Sequence, residues 1–298
     1  MPPTPTIDRT MQPFPGVKLH HRLGVGAFGE VWEGSYESGR RVALKFMGGK
    51  NGVVSQELKT IQALQRITHP HLLPTYQVCS IPKYIVIIME LADGNLLELC
   101  QVFKDEYGTG IPAELLGIYM AQVASALDHL NSRKHRFDHR TVGFVHRDIK
   151  PSNILLSGEQ AKLCDFGFCT PIHANYQICH ASGTPDFSPP EFYSNQITPN
   201  SDQYSFAVTY YYLRTGELPF PAVTKASFSH PSERKSPNLG GVSAVEAKIL
   251  ERALNPQPQH RWASCTELMQ QIFTGLGMTY PTITENDATT MATPVESM

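Results

Sequence analysis

An α+β fold, with a small sheet-rich part first and a larger, mainly helical part after it, is what this 298-residue sequence predicts. Three patterns carry that expectation. The stretch KLHHRLGVGAFGEVWEGSYESGRRVALKF (18–46) is a series of short alternating runs punctuated by glycine and by ESGR, as a hairpin-rich antiparallel sheet requires. Next, VSQELKTIQALQRI sets Leu58, Ile61, Leu64 and Ile67 at helical spacing, so one helix is expected among the strands, ending before HPHLLP. After the buried strand YIVIIME and the connector LADGNL, the segments from AELLGIYMAQVASALDHL onward lengthen and take a helical period.

Composition narrows the classes. Lys plus Arg total 25 against 27 for Asp plus Glu, and a net charge of −2 makes no case for nucleic acid or a membrane surface as the main partner. The longest apolar run, residues 84–92, is broken by Glu90 and falls short of the ~20 residues a membrane helix needs. Cysteines at 79, 100, 164, 169, 179 and 265 include no CxxC pair, which favours unpaired thiols in a reducing cytoplasm over disulfides or a zinc site. MPPTPTIDRTMQPFPG holds five prolines in 16 residues and no apolar run, so residues 1–16 are expected to be a loose arm. The 22 residues from Gly277 carry six threonines and few large apolar groups, as a disordered tail would, leaving 17–276 as the expected folded part.

The chemistry-bearing motifs fall inside that folded part. GVGAFGEV places Gly24, Gly26 and Gly29 in a G-x-G-x-x-G-x-V pattern, with glycine where a backbone must approach phosphates unobstructed. A plain hairpin turn reads the same way, and EVWEGSY after it looks like a strand rather than the helix a dinucleotide fold needs. Lys45 ends VALK; alone it is a strand-end lysine, but Glu57 in QELKTI is a candidate partner that would hold its ammonium against phosphate oxygens. Downstream stand HRDIKPSN (146–153) and CDFGF (164–168). Asp148 can accept a proton from a hydroxyl or merely hold a turn; Asn153 and Asp165 offer the hard oxygen ligands that suit Mg²⁺ bridging phosphates.

Taken together, these motifs in this order make residues 17–270 resemble the eukaryotic-like (Hanks-type) serine/threonine protein kinases, with a bacterial source expected. The resemblance implies a bilobal fold: an N-terminal lobe over 17–88, a hinge over 89–93 and a C-terminal lobe over 94–276. It implies ATP with Mg²⁺ or Mn²⁺ as cofactors and Ser or Thr of a protein as substrate. Gly24, Val25, Gly26, Gly29, Val31, Ala43 and Leu155 would then enclose the nucleotide, with Met89 as gatekeeper and Glu90 to Ala92 meeting the adenine. Lys45 would contact the α and β phosphates and pair with Glu57, Asp148 would be the base, Lys150 would support the γ-phosphate, and Asn153 and Asp165 would hold the metal. Ile61, Phe166 and His146 are expected to stack, and Cys164 to face the nucleotide, within reach of an electrophile that ATP blocks.

Further likenesses extend the resemblance. GTPDFSPPE (183–191) resembles the end of an activation segment, with Pro189 in place of the usual alanine, and the stretch from Asp202 resembles the family's central buried helix, with Ala207 for a common glycine. Arg261 would pair with Glu191. Arg147 is the family's receiver for a phosphorylated hydroxyl, and Thr170, Tyr176, Ser182 and Thr184 are those available; Thr184 is expected to line the substrate cleft. NSRKHRFDHRTVGFV (131–145) is longer than the family needs; with Arg133, Lys134, Arg136 and Arg140 it reads as a solvated basic loop or as a docking surface for an acidic partner. A nucleotide-binding pseudokinase-like scaffold is the alternative function, which a missing lysine, base or metal ligand would favour; a small-molecule phosphotransferase would lack the GTP…PPE segment.

Overall fold

The computed structural model describes residues 7–26, 29–48, 54–173, 177–178, 183–221 and 236–283, the side chains of 54–57 and 177–178 excepted. The chain divides into two compact units, one built from Met1–Arg66 and Leu73–Ala92, the other from Ile67–Leu72 and Asp93–Met298.

The first unit is an antiparallel sheet of β1 (Val17–Gly26), β2 (Gly29–Tyr36), β3 (Arg41–Gly48), β4 (Thr75–Ile81) and β5 (Tyr84–Met89), in the order β1-β2-β3-β5-β4, with helix α1 (Val54–Leu64). Strand periodicity splits its two faces. Val42, Leu44 and Phe46 of β3, with Tyr84, Val86 and Ile88 of β5, form one apolar layer; Met47, Ile85 and Ile87 point the other way, onto Ile61 of α1. The first layer is completed by Ile7, which is buried, with Met11 and Phe14 packed alongside. Residues 7–16 are therefore not a loose arm. Three apolar side chains spaced along a proline-rich segment give no periodic signal, yet they suffice to cover a sheet face that would otherwise meet water. Helix α1 ends at Leu64, so Ile67 does not extend its stripe.

The second unit is mainly helical, but it also holds short strands that helical periodicity did not announce. Its helices are α2 (Leu96–Tyr107), α3 (Ala113–Asn131), α4 (Pro190–Tyr193), α5 (Ser201–Thr215), α6 (Ala244–Ala253) and α7 (Cys265–Gly275). Between α3 and α4 run β7 (His135–Phe137), β8 (Arg140–Val145), β9 (Ile154–Ser157), β10 (Gln160–Leu163) and β11 (Thr170–Ile172); β6 (Gly94–Asn95) pairs with β9, and β12 (Gln177–Ile178) with β13 (Gln196–Ile197). Local signals fix several boundaries: Asn95 and Glu98 form a capping box at the start of α2, and Gly108 ends it in the left-handed conformation. Helix α5 is buried on nearly every side and so lies at the centre of this unit.

Two sequence expectations change here. The segment 131–145 is not an irregular loop: α3 runs through Asn131, and β7 and β8 then form a hairpin closed by Asp138 and His139, both at positive φ (48° and 63°), the conformation of a type I′ turn. Phe137 and the run Val142–Val145 are buried while Arg136, Arg140 and Thr141 are exposed, so the basic residues gather at the hairpin's tip and the apolar ones at its base. At the other end, residues 277–283 do not leave the fold at 276. Gly277 turns at positive φ, the Met278 amide donates to the Phe273 carbonyl (2.8 Å), and the Tyr280 ring meets Phe273 edge-on at 5.2 Å.

Candidate active site

The first unit supplies the glycine loop and Lys45. Gly26 pairs with Gly29 where β1 turns into β2; Ala27 and Phe28 at the tip lie outside the described residues. Gly29 has φ +137°, and a Cβ there would run into the Phe46 carbonyl, so the fold itself demands glycine. Gly24 and Gly26 differ: a Cβ at either would meet nothing within 4 Å. Their lack of a side chain serves no contact within the described chain, as expected where another molecule must approach the backbone. Val25 is exposed beside them and Val31 is half-buried. Across the sheet Lys45 is flanked by Val31 and Ile87, and Ala43 by Glu33 and Met89, so both sit on the face that carries α1. Lys45 is buried. Glu57 belongs to α1, one residue before Leu58, but its side chain lies outside the described residues. Met89 ends β5, the Glu90 amide donates to the Pro74 carbonyl (3.1 Å), and Ala92 closes the unit.

The second unit supplies the remainder. Strand β8 delivers the chain into HRDIKPSN, whose His146, Arg147, Asp148 and Asn153 are buried. Such a polar loop is stable inside a protein only if its groups are paired. Asp202, at the start of α5, accepts the amides of His146 (2.8 Å) and Arg147 (2.9 Å) on its two carboxylate oxygens. Burial pushes the Asp202 carboxyl up, opposed by His146 and the two amides. Arg147 adopts φ +72°, the kink those bonds hold in place. The His146 ring accepts the Asp148 amide at Nδ1 (3.3 Å), which leaves Nε2–H to donate to the Cys164 carbonyl (2.9 Å), and it packs on Phe166 at 5.4 Å. This pair forms the lower part of the expected stack, whereas Ile61 belongs to the other unit, packed on Met47 and Ile87.

Asp148 is the centre of the constellation. Its Oδ2 accepts from the Asn153 amide (2.9 Å) and from the Lys150 ammonium (2.9 Å). Its Oδ1 accepts the Thr184 hydroxyl (2.8 Å), and Lys150 Nζ donates to that same hydroxyl oxygen (2.8 Å). A hydroxyl therefore donates to the candidate base while an ammonium faces its oxygen, which is the geometry that proton removal from an alcohol needs. Gly183, at φ +104°, permits this: a Cβ would strike the Arg147 carbonyl. Thr184 was expected in the cleft but not in this triangle, because 36 residues separate it from Asp148.

Asn153 turns its amide nitrogen to both the carbonyl (2.7 Å) and the carboxylate of Asp148, which leaves its side-chain oxygen as the group able to face a cation. Asp165 follows Cys164 at φ +64°, its carboxylate accepting weakly from the Gly167 amide (3.4 Å). No cluster of three or more His, Cys, Asp or Glu able to hold a metal occurs among the described residues. One carboxylate and one amide suit Mg²⁺, which takes its other ligands from phosphate and water, and do not suit zinc. Leu155 is half-buried on β9, and Cys164 is buried. Glu191 and Arg261 form the expected pair, bidentate at 2.8 Å for each bond, with Ser201 also donating to Glu191 (2.9 Å). Arg147 Nη1 donates to Thr170 Oγ1 (3.0 Å); Tyr176 and Ser182 lie outside the described residues.

The glycine loop and buried lysine of the first unit, and the carboxylates, lysine and asparagine of the second, are the residue types that phosphoryl transfer uses. The protein kinase domain family matches residues 17–274, and the chain belongs to that family. It is similar to CBL-interacting serine/threonine-protein kinase 7 of Arabidopsis thaliana (31% identity; 82% of this chain, 57% of the relative). It is also similar to tyrosine-protein kinase SRK3 of Spongilla lacustris (32%; 86% and 74%) and to maternal embryonic leucine zipper kinase of Xenopus laevis (30%; 68% and 30%). The chain thus spans from under a third to about three quarters of these relatives' lengths. All three are eukaryotic, which lends no support to a bacterial source.

Proposed function

We propose that this chain transfers the γ-phosphoryl group of ATP to serine and threonine hydroxyls of proteins. The observation that carries the reading is the triangle of Asp148, Lys150 and the Thr184 hydroxyl. Asp148 orients the attacking hydroxyl and takes its proton; Lys150 holds the oxygen from the other side and faces the charge that develops on the transferred group. ATP and a divalent metal go with the family generally. Mg²⁺ is the metal proposed, held by Asn153 and Asp165, and Mn²⁺ would fit the same ligands; when bound, it neutralises phosphate charge. Lys45 is assigned to the α and β phosphates with Glu57 as its partner, and the main chain of Glu90 to Ala92 to the adenine.

Two lobes joined by a hinge over 89–93 belong to the same proposal, as does a cytoplasmic place of action. In favour of the latter, no two of the five described cysteines form a disulfide, and among the described residues no helix is long and apolar enough to cross a membrane. The basic hairpin after α3 is the proposed place for a second partner contact. The pseudokinase-like scaffold is not favoured, since the sequence lacks none of the lysine, the candidate base and the candidate metal ligands. Incubation with radiolabelled ATP, Mg²⁺ and a mixed protein substrate, followed by phosphoamino-acid analysis, tests the activity. Labelled serine and threonine are expected; labelled tyrosine alone would overturn the specificity, and no transfer with either metal would overturn the activity.

A further inference from the structure

The end of α3, the start of β7, the N-terminus of α7 and the segment after it enclose a cavity of about 370 Å³ that has no part in the site above. A cavity of this size accommodates a side chain or a small ligand. Its polar lining is dominated by donors. Asp128 is the one acid among the described lining residues, and both its oxygens are occupied by the amides of Cys265 (2.9 Å) and Thr266 (2.8 Å). Against it stand Lys134, the hydroxyls of Ser132 and Thr266, His129 and Tyr280. The Tyr280 hydroxyl is buried, with the Thr266 side chain beside it but no hydrogen bond of good geometry among the described residues. Burial and the nearby Asp128 push the phenol up to about 12, so it remains an O–H donor at neutral pH.

Lys134 leads directly from this cavity into the β7–β8 hairpin, where Arg136 is exposed opposite Thr141 and Arg140 opposite Phe137, so the two cations lie on the two faces of the hairpin, both within reach of a strand added at the β7 edge. Lys134, Arg136 and Arg140 form no ion pair among the described residues, although the chain as a whole is acidic by two charges. β7 is an edge strand of the sheet β11-β8-β7, the kind of edge along which an extended peptide can lie. We infer that this surface docks an extended acidic segment of a partner protein, with carboxylates along Arg136 and Arg140 and one acidic side chain in the cavity between Lys134 and Tyr280. So few cations on so narrow a hairpin are a poor match for a nucleic-acid backbone or a bilayer, whereas the adjoining cavity is side-chain sized. The inference rests on the kinase reading only in making a protein substrate one candidate partner; binding itself is measured without turnover.

The test uses the full chain and a fluorescent peptide of Glu-Glu-Leu repeats, whose carboxylates reach both faces of an extended strand, with a Gln-Gln-Leu peptide as control, read by anisotropy at two salt concentrations. The Glu peptide is expected to bind at least tenfold more tightly than the control and more weakly at high salt. Arg136→Glu with Arg140→Glu should weaken it at least tenfold, and Tyr280→Phe several-fold, with melting temperature and transfer to a short Ser/Thr peptide unchanged. Arg136→Gln with Arg140→Gln serves where charge reversal unfolds the chain. Affinity within twofold of wild type in the Gln variant overturns the inference, as does displacement of the Glu peptide by single-stranded RNA or phosphatidylserine vesicles at lower concentrations than by unlabelled peptide. Peptide binding by a chain that transfers no phosphoryl group would overturn the kinase reading and leave this one standing.

Discussion

The hairpin of residues 135–145 and the loop of residues 146–153 are adjacent in sequence and opposite in construction. The hairpin keeps its polar groups in water and buries only Phe137, Val142 and their apolar neighbours. The loop buries the polar groups themselves and pairs them with Asp202, Cys164, Thr184 and each other. A surface that presents charge needs only an anchor. A site that holds a carboxylate in one orientation needs most of its neighbouring donors and acceptors satisfied, because each orphan inside the protein is costly.

Substitutions can break or sharpen that contrast. Asp148→Asn should reduce transfer by about 10²–10⁴-fold while the chain stays folded, measured as initial rates beside a thermal melt. Asp202→Ala removes the acceptor of two buried amides and should cost about 2–5 kcal/mol in denaturant unfolding, with activity lost as well. Phe137→Ala takes away the hairpin's anchor and should cost about 2 kcal/mol by the same measurement, leaving the catalytic rate of the folded fraction nearly intact.

The seam between the hairpin and α3, unlike the loop, should respond to pH. His69 packs against His129 (5.0 Å), which packs against His135 (5.2 Å) of the hairpin. Burial, then His129 and His71, hold His69 down at about 3, below the usual 6.5. Below 6.5 the unfolded chain takes a proton that the folded chain refuses, so stability should fall as pH drops from about 6.5 toward 3. His69→Gln should flatten that part of the pH–melting profile; an unchanged slope would place the titration elsewhere. Smallest of all, Arg136→Gln with Arg140→Gln should shift stability by under about 0.5 kcal/mol.

Legibility differed between the two regions for the same physical reason. The loop's chemistry was readable because Asp148, Lys150 and Asn153 must lie within a few residues to share one turn, and local spacing survives in a string of letters. The hairpin was read as a loop because its turn is Asp-His rather than Asn-Gly and its exposed positions are basic. The N-terminal residues were misjudged on composition: Ile7, Met11 and Phe14 are unremarkable among prolines until a bare sheet face lies beneath them. Asp202 was legible as the start of a buried helix, but not as the group that holds the kink at Arg147.

What the sequence by itself determined was the chemical inventory and its order: the glycine loop, Lys45, the Asp148 to Asn153 loop, Asp165 and the segment ending at Glu191. Those groups are set by short-range spacing, and their chemistry follows from their side chains. The tertiary structure alone decided which distant groups complete them: Asp202 lies 56 residues from His146, Thr184 lies 36 from Asp148 and Arg261 lies 70 from Glu191. Pairings across such separations are selected by the need to satisfy buried polar groups once α5 and the loop pack together, and no local pattern records that need.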